Sequence, residues 1–216
     1  MDLDNARAQM ISQQLRTWDV SDQRVLEVMA DMPRERFVPP AFSSLAYADI
    51  GIPIAAGQHM LQPKIQARIL QAVAPDANEA VLEIGTGSGY LTACLARLAG
   101  SVMSVDIDPA CTAAAGERLA ALNISNVKLE TADAMEAEFE RSFDVIVVSG
   151  ALPVYDPRFE QRLAPGGRLF VVVGSPPARE AWLVTRGSGE GYAREVLFET
   201  DIPSLANAPE PDAFVF

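Results

Sequence analysis

The stretch from Val81 to Tyr90, VLEIGTGSGY, has the densest chemical content in the chain. An apolar run that enters Gly85-Thr86-Gly87-Ser88-Gly89 and leaves as a helix bares backbone where a ligand can come close, because no Cβ blocks it. A dinucleotide-binding turn would need glycine at position 90, where Tyr90 stands. Glu83, two residues ahead of the first glycine, instead suits a ligand that carries an ammonium and a sulfonium, and would sit badly beside a pyrophosphate. Asp106 ends the next apolar run, 21 residues after Gly85, the distance at which a carboxylate accepts hydrogen bonds from ribose hydroxyls. Asp108 reads more simply as the N-cap of a helix opening at Pro109. Asp133 follows the third apolar run. The chain's one histidine, His59, lies in the loop Gly57-Gln58-His59-Met60-Leu61-Gln62 before Pro63. An imidazole there could hydrogen-bond the loop, act as a base or hold a metal, and the absence of a companion cluster argues against the metal.

These residues need strands and helices to converge. From Ala80 onward, short β-branched runs alternate with helical stretches: AVLEIG, SVMSVDI, NVKLETA, FDVIVVSGA and GRLFVVVG are each apolar enough for strands buried on both faces. Helices are predicted over Tyr90–Leu98, Pro109–Leu122 and Pro157–Leu163, which makes an α/β fold with a mostly parallel, doubly wound sheet. EAWLVTRG and YAREVLFETDI, separated by SGEG, predict an antiparallel hairpin at one sheet edge. Upstream, helices are expected at Asp4–Thr17, at Ser21–Ala30 and from Pro63, around a proline-punctuated segment. The acids at 83, 106 and 133 would then stand at the carboxyl ends of parallel strands, where such sheets bind ligands. Residues 1–216 read as one domain: an N-terminal helical and substrate-loop elaboration over 1–79, a ligand-binding core over 80–206 and a tail over 207–216.

Composition excludes several function classes. Seventeen basic against 29 acidic side chains leave a net charge of −12, which repels rather than recruits nucleic acid. Cys94 and Cys111 have no metal-binding or redox spacing and fall in helical segments, as buried small hydrophobes would. Asp2, Asp4 and Arg7 precede any apolar run, and no window approaches 18 uninterrupted apolar residues, so a cytoplasmic protein with no membrane partner is expected. Nothing in the sequence sets the oligomeric state.

The E-x-G-x-G-x-G pattern at Glu83–Gly89 resembles the first motif of S-adenosylmethionine-dependent methyltransferases. With VLEVMADMPRERFVPP and AYADIGIPIAAGQHMLQP upstream, the chain from about Met10 to Gly174 resembles the protein-L-isoaspartate O-methyltransferase family. The resemblance implies a Rossmann-like class I methyltransferase fold. It implies S-adenosylmethionine as cofactor and S-adenosylhomocysteine as product. The implied substrate is a damaged protein or peptide, methylated on the carboxyl of an isoaspartyl residue. It assigns the cofactor to Glu83, Gly85, Thr86, Gly87, Ser88, Gly89, Asp106, Ile107, Asp133, Ala134 and Ser149, with Asp133 near the adenine amino group. It assigns the substrate loop to Gln58, His59, Met60 and Leu61. Leu61 stands where the family carries the serine associated with catalysis, and Lys64 where an aromatic or histidine is common.

A carboxylate acceptor is already ionised near neutral pH, so its methylation requires alignment and exclusion of water rather than a base. On that chemistry His59 is a loop residue; an acceptor that must lose a proton would make it a base. Three activities remain open from sequence: an isoaspartyl methyltransferase with an altered loop, a methyltransferase of the same fold with another acceptor, and a non-catalytic S-adenosylmethionine-binding protein.

Overall fold

The computed structural model describes residues 2–54, 57–139, 141–177, 179–189 and 191–211; the end of the expected tail, 212–216, lies outside them. Helix α1 (Leu3–Gln9) is capped by the Asp2 side chain, which accepts from the Asn5 N–H. It continues as a π-helical stretch over Met10–Leu15 and a 3-10 turn over Arg16–Trp18. Helix α2 (Gln23–Asp31) is capped by Asp22. Two short strands, β1 (Ile52–Pro53) and β2 (His59–Met60), pair antiparallel, and α3 (Pro63–Val73) begins with proline in its first turn.

Strand β3 (Ala80–Ile84) then leads through the glycine turn into α4 (Tyr90–Leu98). Strand β4 (Ser101–Asp106) and α5 (Pro109–Ala121) follow, with Asp108 as the predicted N-cap accepting from the Ala110 N–H. Strands β5 (Val127–Thr131), β6 (Phe143–Leu152), β7 (Leu163–Val173), β8 (Glu180–Arg186) and β9 (Tyr192–Glu199) complete a seven-stranded sheet of order β5-β4-β3-β6-β7-β8-β9. The pairs among β3 to β7 are parallel, and β8 and β9 add the antiparallel edge hairpin that the sequence predicts.

The alternation of side chains along each central strand divides the core into two layers. Val81, Val145, Val147, Phe170 and Val172 pack with buried residues of the helical segments, among them Leu26, Ile69, Leu95 and Leu119. Their neighbours Leu82, Ile84, Ile146, Val148, Leu169 and Val171 pack with Phe139 and Phe159 instead. The predicted helix over 157–163 is not formed; a 3-10 turn at Glu160–Arg162 runs directly into β7, and Phe159 supplies the burial. Strand β5 also differs from expectation. As an edge strand it is only partly buried, although its apolar content suggested cover on both faces. Cys94 and Cys111 are buried and unpaired. No helix among the described residues is long and apolar enough to cross a membrane.

After β9 the chain returns across the carboxyl end of the sheet. Ala151 donates to the Pro203 carbonyl at 2.9 Å, and Leu205 donates to the Ala151 carbonyl at 2.8 Å, beside a parallel bridge between Ala151 and Ser204. This crossing is close because position 150 is glycine: a Cβ there would stand 2.9 Å from Leu205 Cα and 3.0 Å from its N and Cβ. Gly150→Ala should therefore push the crossing off the sheet and cost about 1–3 kcal/mol of stability. Thermal denaturation checks this, and an unchanged melting temperature would show that the 203–205 segment yields freely.

Candidate active site

The glycine turn forms the floor of a cavity at the carboxyl ends of β3, β4 and β6. Three glycines of the turn have positive φ, but their requirements differ. At Gly85 a Cβ would run into the Ser149 hydroxyl, and at Gly89 it would lie 2.8 Å from Ala115 Cβ of α5. Those two glycines let the turn pack against the protein itself. Only at Gly87 does a Cβ point toward the covering segment, 3.2 Å from Ile54 Cδ1. Gly87 is thus the one of the three at which an added Cβ would enter the space between the turn and Ile54. Thr86 and Ser88 line the cavity; Thr86 Oγ1 lies 2.6 Å from Ser104 Oγ, whereas Ser88 Oγ accepts from the Tyr90 N–H and keeps its own proton to donate.

Glu83 is fully buried and does not line the cavity, contrary to the direct contact expected for it. Oε2 accepts from Thr92 Oγ1 at 2.5 Å and Ser104 Oγ at 2.6 Å, whereas Oε1 has no hydrogen-bond partner among the described residues. The carboxylate therefore stands beneath the turn, joining β3, β4 and α4. Burial pushes its pKa up to about 7, with the two hydroxyl donors opposing that shift and Asp106 adding to it.

Asp106, Ile107, Asp133 and Ala134 all line the cavity. Asp106 Oδ2 accepts from the Gly87 N–H at 2.8 Å and Oδ1 from the Asp108 N–H at 2.9 Å, so it braces the turn. Asp133 accepts from the Met135 N–H and, at 2.6 Å, from Asn207 Nδ2. Ile107 exposes 42% of its surface next to them. Ser149 also lines the cavity, with its hydroxyl 2.9 Å from the Ile84 carbonyl and 2.8 Å from that of Gly85. That hydroxyl locks the turn.

The opposite wall is Ile54 with Gln58, His59, Met60 and Leu61. Met60 and Leu61 are buried, and His59 is exposed. Arg34 fixes this wall: it is fully buried and donates to the carbonyls of Ala46 at 2.7 Å and Leu61 at 2.6 Å, and to Gln66 Oε1. Lys64 is held by Asp49 at 2.7 Å and lies 4.1 Å from the Trp18 ring centroid. A second cavity lies beyond the same loop, sharing His59, Met60, Leu61 and Pro203 with the first, and its lining includes Arg179 and Asp201. Buried Arg179 donates to Ser204 Oγ at 2.8 Å and to Asp201 at 3.3 Å.

Sequence reading missed Ile54, Gln66, Leu91 and the segment 203–206, all of which line the first cavity. No periodicity marks a chain that crosses a sheet end, and Gln66 sits on an otherwise ordinary helix.

The Glu83 geometry has a consequence for stability. A carboxyl whose folded pKa lies above its unfolded value stabilises the fold when neutral, and that contribution is lost as pH rises from the ordinary carboxylate range through about 7. In ligand-free protein, Glu83→Gln should gain on wild type by roughly 1–3 kcal/mol between pH 5 and pH 8. Chemical denaturation at both pH values reads the difference, and a pH-independent gap would show that Glu83 titrates alike in both states.

The family model for Protein-L-isoaspartate(D-aspartate) O-methyltransferase (PCMT) matches residues 5–198. A protein-L-isoaspartate O-methyltransferase of Koribacter versatilis is 40% identical over 85% of this chain and 83% of its own. One from Brucella anthropi is 35% identical over 97% of each. The fold matches a beta-aspartate methyltransferase structure from Plasmodium falciparum, solved in complex with S-adenosylhomocysteine, with a TM-score of 0.79 over 92% of this chain and 97% of that one at 19% identity. On the family match over most of its length, the chain belongs to the protein-L-isoaspartate(D-aspartate) O-methyltransferase family, on a Rossmann-like class I methyltransferase fold.

Proposed function

We propose that the cavity over the glycine turn holds S-adenosylmethionine and that the second cavity receives the carboxyl of an isoaspartyl residue in a damaged protein. The observation that carries this reading is the shared wall: His59, Met60 and Leu61 face both cavities, so donor and acceptor sites meet at one loop. The protein is accordingly an S-adenosylmethionine-dependent methyltransferase with protein substrates.

The residues present fit the cofactor. Asp106 and Asp133 each use their oxygens for two protein donors, which leaves acceptor capacity for ribose hydroxyls and an adenine amino group. Ile107 offers an apolar edge for a purine. When bound, the sulfonium supplies an already activated methyl group. The protein's part is to hold the two reacting atoms in line and keep water out. Met60 and Leu61 form an apolar partition for that purpose, and Arg34 holds the Leu61 carbonyl. Arg179 gives the second cavity positive character suited to a carboxylate, though Asp201 offsets part of it. His59 lies exposed on the rim of both cavities, with its backbone paired to Pro53, and has no proton to remove from an ionised acceptor.

Titration calorimetry should show S-adenosylhomocysteine binding in the micromolar range, roughly −8 kcal/mol. Gly87→Val should abolish it with circular dichroism unchanged, since position 87 has φ +51° and its Cβ meets Ile54. Wild-type affinity in that folded variant would remove the cofactor from this turn. Methyl transfer to an isoaspartyl peptide, against its aspartyl counterpart, tests the acceptor. On that peptide Leu61→Ser should raise kcat/KM about tenfold through a new hydrogen bond to the acceptor, with cofactor affinity unchanged. No gain would show that Leu61 does not limit acceptor placement.

A further inference from the structure

Gln66 is the one polar residue among the buried positions of α3, where Ile65, Ala67, Ile69, Leu70 and Val73 are apolar. It is 3% exposed, yet it lines the cofactor cavity beside Leu61, Ser88 and Leu91. Its orientation follows from chemistry. Arg34 has only donors and is aimed at the Gln66 side chain, so the amide must present its oxygen to the guanidinium. The NH2 then occupies the other side, and among the described residues it donates to no protein acceptor.

Arg34's need for an acceptor alone would be met better by glutamate, which would also neutralise a guanidinium that has no carboxylate partner among the described residues. Glutamine differs from glutamate in what it offers on its far side: two N–H donors in place of an anionic oxygen. Buried polar groups are ordinarily satisfied, so a donor held at a ligand cavity calls for an acceptor on the ligand.

We propose that Gln66 is a ligand-positioning residue whose Nε2 donates to a carboxylate brought into the cavity, with Arg34 acting through it by fixing the amide. Two carboxylates come to this site on the reading given above, on which this inference rests: that of the cofactor's methionyl group and that of the acceptor. Gln66 borders the first cavity and not the second, which places the methionyl carboxylate nearer. The hydrogen bond also supplies a donor near the loop where Leu61 provides none.

Gln66→Glu is the discriminating variant. It keeps an oxygen for Arg34, so the fold is retained, and turns only the cavity-facing donor into an acceptor bearing charge. Gln66→Met, of similar length and without donor or charge, gives a second reading. Calorimetry is performed with S-adenosylhomocysteine and with 5′-methylthioadenosine, which has the nucleoside and thioether but no carboxylate. Steady-state KM for an isoaspartyl peptide is measured at saturating cofactor. The expected result is that Gln66→Glu weakens S-adenosylhomocysteine at least about tenfold, Gln66→Met weakens it less, and methylthioadenosine stays within about twofold. Unchanged cofactor affinity with a tenfold rise in peptide KM would assign the same donor to the acceptor carboxylate. Equal weakening of both nucleosides, or no change in either nucleoside or in peptide KM, overturns the proposal. Failure of the wild-type protein to bind S-adenosylhomocysteine would instead overturn the cofactor reading itself, and this inference with it.

Discussion

A guanidinium buried without a carboxylate partner among the described residues ties the site together. Arg34 is wholly removed from solvent, and burial lowers its pKa from the ordinary arginine value. A charge in that position is tolerated only if its donors find oxygens and its face finds polarisable neighbours. The Ala46 and Leu61 carbonyls and the Gln66 amide supply the oxygens, and the Tyr90 ring lies 4.8 Å away. Those partners come from the segment before β1, the loop before α3, α3 itself and the first residue of α4. None could withdraw without leaving the cation exposed to an apolar interior, so one side chain couples the cover of the cavity to its floor.

The floor has its own internal bracing. Glu83, Thr92, Ser104 and Thr86 form a buried polar cluster, while Asp106 and Ser149 bind the backbone of the turn from either side. Much of the polar chemistry that looks from the sequence like ligand contact is spent in this way on the protein itself. The turn is thereby held in its positive-φ conformation before any ligand arrives, which lowers the ordering cost of binding. Beside this bracing, Asp106 and Asp133 keep spare lone pairs and Ile107 keeps an exposed apolar edge along the cavity.

Above the sheet end, the segment after β9 has a double role. Pro203–Leu205 closes one side of the first cavity and Asp201–Pro203 one side of the second, while Asn207 reaches Asp133. The edge hairpin is thus more than an extension of the sheet. It carries the chain back to the site, and the glycine at 150 lets that return lie close.

How much of this the sequence determined follows from the range of the interactions involved. Strand and helix identity along the core is local, set by β-branched runs, prolines and caps, and Tyr90–Leu98 and Asp108 are found where those signals put them. The glycine turn, Asp106 and Asp133 were legible because a parallel sheet places successive strand ends together by topology alone. The phrase around Arg34 was visible as a family likeness, but nothing in it shows that the cation would be buried or would reach residues 46, 61 and 66. Whether Glu83 faces a ligand or the core depends on which side of β3 is covered by α4, and the fate of Gln66 depends on a donor 32 residues away. Burial and hydrogen-bond partners of this kind are set by contacts between segments distant in sequence, and only the tertiary structure decides them.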